Sequence, residues 1–114
     1  MNRRAQQEDR IFKAIADPTR RGMLNLLAQQ EQSVTELTEH FAMSQPAISQ
    51  HLRVLREAEL VDERKDGRNR IYSINVGSLD VARQWLEAHT EFWATSLERL
   101  GSHLRKKHGS KNRV

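Results

Sequence analysis

Gln45, Ser49, Gln50 and Arg53 recur at the spacing that puts them on one face of an α-helix, with Pro46 among them. Amide, hydroxyl and guanidinium side chains are the ones that hydrogen-bond base edges and phosphates, and this face carries no carboxylate before Glu57. The chemistry on offer is recognition of a DNA major groove, not the making of bonds. A solvated helix face has the same composition, so the neighbouring segments must decide between the two.

Those segments supply the posture. Ser44 can cap the helix, Pro46 fits its first turn, and Ile48, Leu52 and Leu55 at i, i+4 and i+7 form a core-facing stripe. The stretch extends to Leu60. Before it, Ser33-Val34-Thr35-Glu36 has the capping-box spacing and opens a short helix that buries Val34, Leu37 and Phe41. Only Ala42 and Met43 then intervene before Ser44, the layout of a helix-turn-helix whose second helix reads DNA. After Leu60 the period changes to near two over Val61 to Lys65 and Arg68 to Ile74, with Asp66-Gly67 as a hairpin turn. Arg64, Lys65, Arg68 and Arg70 crowd that turn, which is costly for a free hairpin and favourable beside phosphates. The hairpin is thus expected to be a wing; an edge hairpin blunted by charge is the alternative.

Upstream, Ile11, Phe12 and Ile15 keep helical spacing between Glu8 and Ala16, and Asp17-Pro18 closes that helix and opens the next. The second helix is expected from Pro18 to Gln29 or Gln30, burying Met23, Leu24, Leu26 and Leu27. Arg20 and Arg21 sit in its first turn, where the macrodipole disfavours cations. Contact with phosphate would explain them, and so would a merely solvated pair.

The last segment, Ser78 to about Lys107, repeats with period seven: Leu79, Leu86, Trp93 and Leu100 at one position, Ala82, His89 and Ser96 at its companion, with Leu104, eight residues on, filling the same seam. A helix of about 30 residues would run roughly 45 Å, more than so small a domain can cover. Its surplus apolar surface argues for pairing with a second copy alongside the first helix. The expected interface comprises Ile11, Phe12, Leu79, Trp85, Leu86, His89, Phe92, Trp93, Leu97 and Leu100, with His89 a hydrogen-bonded seam residue and not a ligand. One domain is expected over 1–107, with 108–114 a disordered basic tail.

Composition bounds the rest. With 114 residues, 37% hydrophobic and 30% charged, the chain has room for one modest core, and its net charge of +4 suits a polyanionic partner. The absence of cysteine removes disulfides, thiolate metal sites and Cys nucleophiles. No apolar run approaches the roughly 18 residues of a membrane span and the start lacks a signal-peptide core, so cytoplasmic residence without a membrane partner is expected. No catalytic residue is expected either, since Ser49 and His51 share a helix but point about 160° apart.

The runs F-K-A-I-A-D-P-T-R-R at 12–21, S-V-T-E-L at 33–37, M-S-Q-P-A-I-S-Q-H-L-R-V-L-R-E-A-E-L-V at 43–61, and the D-G-R turn followed by R-I-Y-S-I closely resemble bacterial ArsR-type winged-helix repressors over residues 8 to 105. The resemblance implies a mainly α fold with a small β-hairpin, a winged helix-turn-helix that dimerises through its first and last helices. It implies a homodimeric repressor that binds double-stranded operator DNA of its own or a neighbouring operon. Gln45, Ser49 and Gln50 would then read bases with Arg53 at the groove edge, while Ser44, Arg20, Arg21, Arg64, Lys65, Arg68 and Arg70 contact phosphates. The alternative is a winged helix that binds only protein.

Many relatives sense metals, and here the chain departs from them. The segment T-E-L-T-E-H-F has no thiol, Asp80 is followed by Val81 and Ala82 where the other site needs Asp-x-His, and His89 is followed three later by Phe92 and not by a glutamate. No metal and no cofactor is expected, and the residues name no effector.

Overall fold

Helix α1, Arg3–Ile15, starts well before the apolar periodicity begins, because Asn2 caps it through a 2.7 Å hydrogen bond from the Arg4 amide to its Oδ1. Polar helix formers in the first turns carry no hydrophobic signal. In this computed structural model the described residues are 2–90, 94, 95, 98, 99 and 101. They belong to two compact units, one ending at Ala82 and one beginning at Arg83.

In the first unit, Asp17 opens α2, Pro18–Gln29, by accepting from the Arg20 amide at 3.0 Å, with Pro18 in the first turn. That amide holds the Asp17 carboxyl below its usual range. Ser33 then serves twice. It ends the two-residue strand β1, Gln32–Ser33, and caps α3, Val34–Thr38, in a complete capping box with Glu36. Helix α3 is only five residues long and stops at Thr38, short of the expected Phe41. Ser44 caps α4, Gln45–Glu57, and Ile48, Leu52 and Leu55 on its inner face have no exposed surface.

Helix α4 ends at Glu57, not Leu60, in a Schellman arrangement: the Leu60 amide donates to the Leu55 carbonyl and the Glu59 amide to that of Arg56, both at 2.9 Å. Leu60 is thereby buried and the chain turns into β2, Val61–Asp66. The geometry puts Glu59 at φ 61°, the left-handed region, where a side chain costs about 1–2 kcal/mol. Gly relieves that strain but adds about 0.4–1 kcal/mol of unfolded-chain entropy. Glu59→Gly is therefore expected to stabilise the protein by about 0.5–1 kcal/mol in urea titrations; a loss of stability would mean that the Glu59 side chain itself matters.

Strand β3, Asn69–Ile74, lies between β1 and β2 in an antiparallel sheet ordered β1-β3-β2. Asp66 pairs with Asn69, so the hairpin loop is Gly67-Arg68 and not Asp66-Gly67. Gly67 takes φ 65° at the first loop position, the requirement of a type II′ turn. Asn75 begins α5, Val76–Ala88, by accepting from the Ser78 amide at 3.3 Å.

The core gathers Ile11, Met23, Leu37, Ile48, Leu52, Leu55, Leu60 and Val61 from helices and sheet alike. Ile11 is wholly buried in its own chain, which corrects its assignment to a surface shared with a second copy: a residue with no exposed area has none to offer. Phe12 and Leu79 are half-buried against the same core.

In the second unit, Arg83 pairs with Glu87 at 2.7 Å, and the Trp85 and His89 rings stack with centroids 4.3 Å apart. His89 Nδ1 also lies 2.8 Å from the Trp85 carbonyl, so this histidine is hydrogen-bonded within its own helix turn. Leu86 is half exposed. The expected contacts at Phe92, Trp93, Leu97 and Leu100, and the tail 108–114, lie outside the described residues. No described helix is long and apolar enough to cross a membrane.

Candidate nucleic-acid interface

The outer face of α4 presents Gln45, Pro46, Ser49, Gln50 and Arg53 to solvent, with Ser44 at its tip, on a helix whose other face is clamped in the core. The Ser44 hydroxyl accepts from the Ala47 amide at 3.3 Å, which leaves its proton free for an acceptor such as a phosphate oxygen. Arg53 pairs with Glu57 at 3.2 Å, both more than half exposed, a contact weak enough for Arg53 to leave.

Beside this face runs a groove of about 440 Å³ between α4 and the sheet, lined by Ser49, Gln50, Arg53 and Arg56 on one side and by Glu63, Arg70 and Tyr72 on the other. A cleft of about 240 Å³ joins Gln45 to Arg68 and Asn69 at the wing. The outer face of α4 and the basic hairpin thus border two concave surfaces that share Val34 and Arg70.

The four wing cations do not form one cluster. Side chains alternate along a strand and cross-strand partners share a face. Lys65 pairs with Arg70 and Glu63 with Tyr72, which places these four on the face that lines the groove, while Arg64 pairs with Ile71 on the opposite face. From there Arg64 reaches past β3 to Glu31, just ahead of β1, in a bidentate contact with both distances 2.7 Å. This contact pulls the Glu31 carboxyl below its usual range and raises the guanidinium. Arg70 is likewise engaged, by Glu63 at 2.7 Å. Lys65 and Arg68 have no ion-pair partner among the described residues, so the tip's freely available charge is two cations and not four.

Arg20 and Arg21 also have partners of their own. The Arg20 guanidinium donates to the Ala14 carbonyl at 2.7 Å, to the Lys13 carbonyl at 3.3 Å and to His51 Nδ1 at 3.2 Å, and Arg21 donates to the Ile15 carbonyl at 2.8 Å. In sequence they oppose the dipole of α2; in space they cap the C-terminus of α1, where a cation is favoured. Sequence reasoning missed Glu31, His51 and Glu63 as partners of these cations, and Arg56 and Tyr72 as further donors to Glu63, since each contact joins separate elements.

A family model for bacterial regulatory proteins of the arsR family matches residues 17–63, from the Asp17 cap to Glu63 in the wing. The transcriptional repressor SdpR of Bacillus subtilis is 40% identical over 76 residues, 67% of this chain and 84% of that protein. The chain belongs to the ArsR family. An arsenical resistance operon repressor of Staphylococcus xylosus is also 40% identical, over 68% of this chain and 74% of its own length. The crystal structure of an ArsR family transcriptional regulator superposes with a TM-score of 0.74 at 32% identity, covering 82% of this chain and 97% of that one. The fold is therefore the winged helix-turn-helix of this family, with α3 and α4 as its two helices and the β2–β3 hairpin as its wing. As an ArsR-family member the protein is a DNA-binding transcriptional regulator and not an enzyme. Membership disfavours a module that only binds protein.

Proposed function

We propose that this ArsR-family chain is a homodimeric repressor that reads operator DNA in the cytoplasm through Gln45, Ser49 and Gln50. Lys65 and Arg68 anchor the wing tip to phosphates, with Ser44 and Arg53 at the groove edge. The observation that carries the reading is the exposed face of α4, without a carboxylate from Gln45 to Arg53, set against a fully buried opposite face and flanked by Lys65 and Arg68, which have no ion-pair partner among the described residues. Arg64 reaches phosphate by exchanging its carboxylate for it, whereas Arg70 keeps Glu63 and offers phosphate its remaining N–H donors. Arg20 and Arg21 act first as caps. Phe12, Leu79, Trp85, Leu86 and His89, with the seven-residue repeat beyond, supply the surface for the second copy.

Two substitutions separate the roles. Gln50→Ala is expected to cost about 1–3 kcal/mol of discrimination at one base pair, whereas Arg68→Ala weakens binding to every duplex alike and lowers the salt slope by about one. Binding titrations on specific and random duplexes at several salt concentrations measure both, and equal losses on the two duplexes for both variants would remove the assignment. A footprint upstream of the coding region is expected to show symmetric half-sites about one helical turn apart.

A further inference from the structure

Glu63 is a carboxylate inside a groove otherwise suited to an anion. Its side chain is only 18% exposed, and its two oxygens are divided between two elements. Oε1 accepts from Arg56 in the last turn of α4 at 2.8 Å; Oε2 accepts from Arg70 on β3 and from the Tyr72 hydroxyl, each at 2.7 Å. Tyr72 is itself buried, at 5% exposure, which roots the arrangement in the core. Arg70, followed by Tyr72, holds the Glu63 carboxyl below its usual range, and burial with the Glu63 contact pushes the Tyr72 hydroxyl up to about 12. The Tyr72 hydroxyl therefore stays a donor, and the Glu63 carboxylate stays charged, at neutral pH.

Bare electrostatics gives such a residue a cost: a negative charge among Ser49, Gln50, Arg56 and Arg70 repels phosphate. The geometry shows what the charge does instead. Each guanidinium has five N–H donors, and Glu63 takes a single contact from each, so the remaining donors of Arg56 and Arg70 are oriented yet unspent. The same carboxylate ties the reading helix to the wing through one rigid group, across which no other ion pair among the described residues is formed.

We propose that Glu63 is a positioning residue for sequence discrimination. By fixing the spacing of α4 and the wing, it makes base contacts and phosphate contacts form together only on the right sequence, and it lowers affinity for all others through its charge. The proposal rests on the reading that this groove faces DNA.

The test compares Glu63→Gln and Tyr72→Phe with the wild-type homodimer on two probes: a 30-base-pair duplex enriched from a random pool by the wild-type protein, and a shuffled duplex of the same composition. Glu63→Gln is expected to bind the shuffled duplex roughly 3–10-fold tighter with a steeper salt dependence, and the enriched duplex no tighter, so that the ratio falls by that factor or more. Tyr72→Phe keeps the charge and loosens one contact, so its ratio falls less and without the gain on shuffled DNA. It also answers the question if Glu63→Gln fails to fold. Equal tightening on both duplexes by Glu63→Gln would reduce Glu63 to a repulsive charge and overturn the proposal, as would an unchanged ratio in Tyr72→Phe. If the wild-type protein enriched no duplex at all, the DNA-reading role itself would fall, which is a different outcome from either.

Discussion

Leu52→Ala is expected to lower the unfolding free energy by about 2–5 kcal/mol, a large share of the roughly 5–15 kcal/mol available to a small domain. Leu52 has no exposed surface and sits mid-way along α4 between Ile48 and Leu55, which are equally buried. Truncation removes apolar contact and leaves a cavity directly beneath the outer face of α4 that carries Ser49 and Gln50. The neighbouring Arg53→Ala serves as the control. Its ion pair with Glu57 is exposed on both sides, so its removal should change stability by less than about 0.5 kcal/mol while weakening DNA binding. Urea titration of the two variants separates them, with the Leu52 midpoint falling and the Arg53 midpoint holding. Similar midpoints would mean that α4 is not anchored by its inner stripe.

The same contrast explains what could be read from the sequence. The inner stripe of α4, the Ser44 cap, the Ser33–Glu36 capping box and the Asp17-Pro18 junction are local, each written within a few residues, and each is found where the spacing predicts it. Local signals fail where the determinant is a single polar cap, as at Asn2, or a turn shifted by one residue, as at Gly67-Arg68. Strand β1 is two residues long and exists only because β3 offers it an edge, so it has no period to detect. Ile11 carries the right residue type for either a core or a partner surface, and only the fold decides which. The charged contacts are the least legible. Glu31 and Arg64 are 33 residues apart, and nothing in either segment announces the other. A count of cations around the wing therefore overstates the charge free to meet a phosphate.

The widest consequence of such hidden pairing falls on Arg20. Arg20→Ala is expected to cost about 1.5–3 kcal/mol, because the guanidinium donates charge-assisted hydrogen bonds to the Ala14 carbonyl and to the Lys13 carbonyl, which also accepts from the Ala16 amide, in the last turn of α1. Its third contact, to His51 Nδ1 on α4, links α1, α2 and the reading helix at one point, so the loss reaches the helix that carries Ser49 and Gln50. Arg20→Lys should recover little, since one ammonium lacks the planar fork that spans three acceptors. Arg21 makes one carbonyl contact at an exposed position, and its substitution should cost less than about 1 kcal/mol. Salt titration of DNA binding distinguishes the capping role from a phosphate role. An Arg20 that serves as a cap leaves the salt slope of the folded variant unchanged, whereas an Arg20 that neutralises a phosphate lowers it by about one. A stable Arg20→Ala protein with a reduced slope would return this residue to the DNA interface; an unstable one with an intact slope fixes it as the structural joint between the first two helices and the helix that reads.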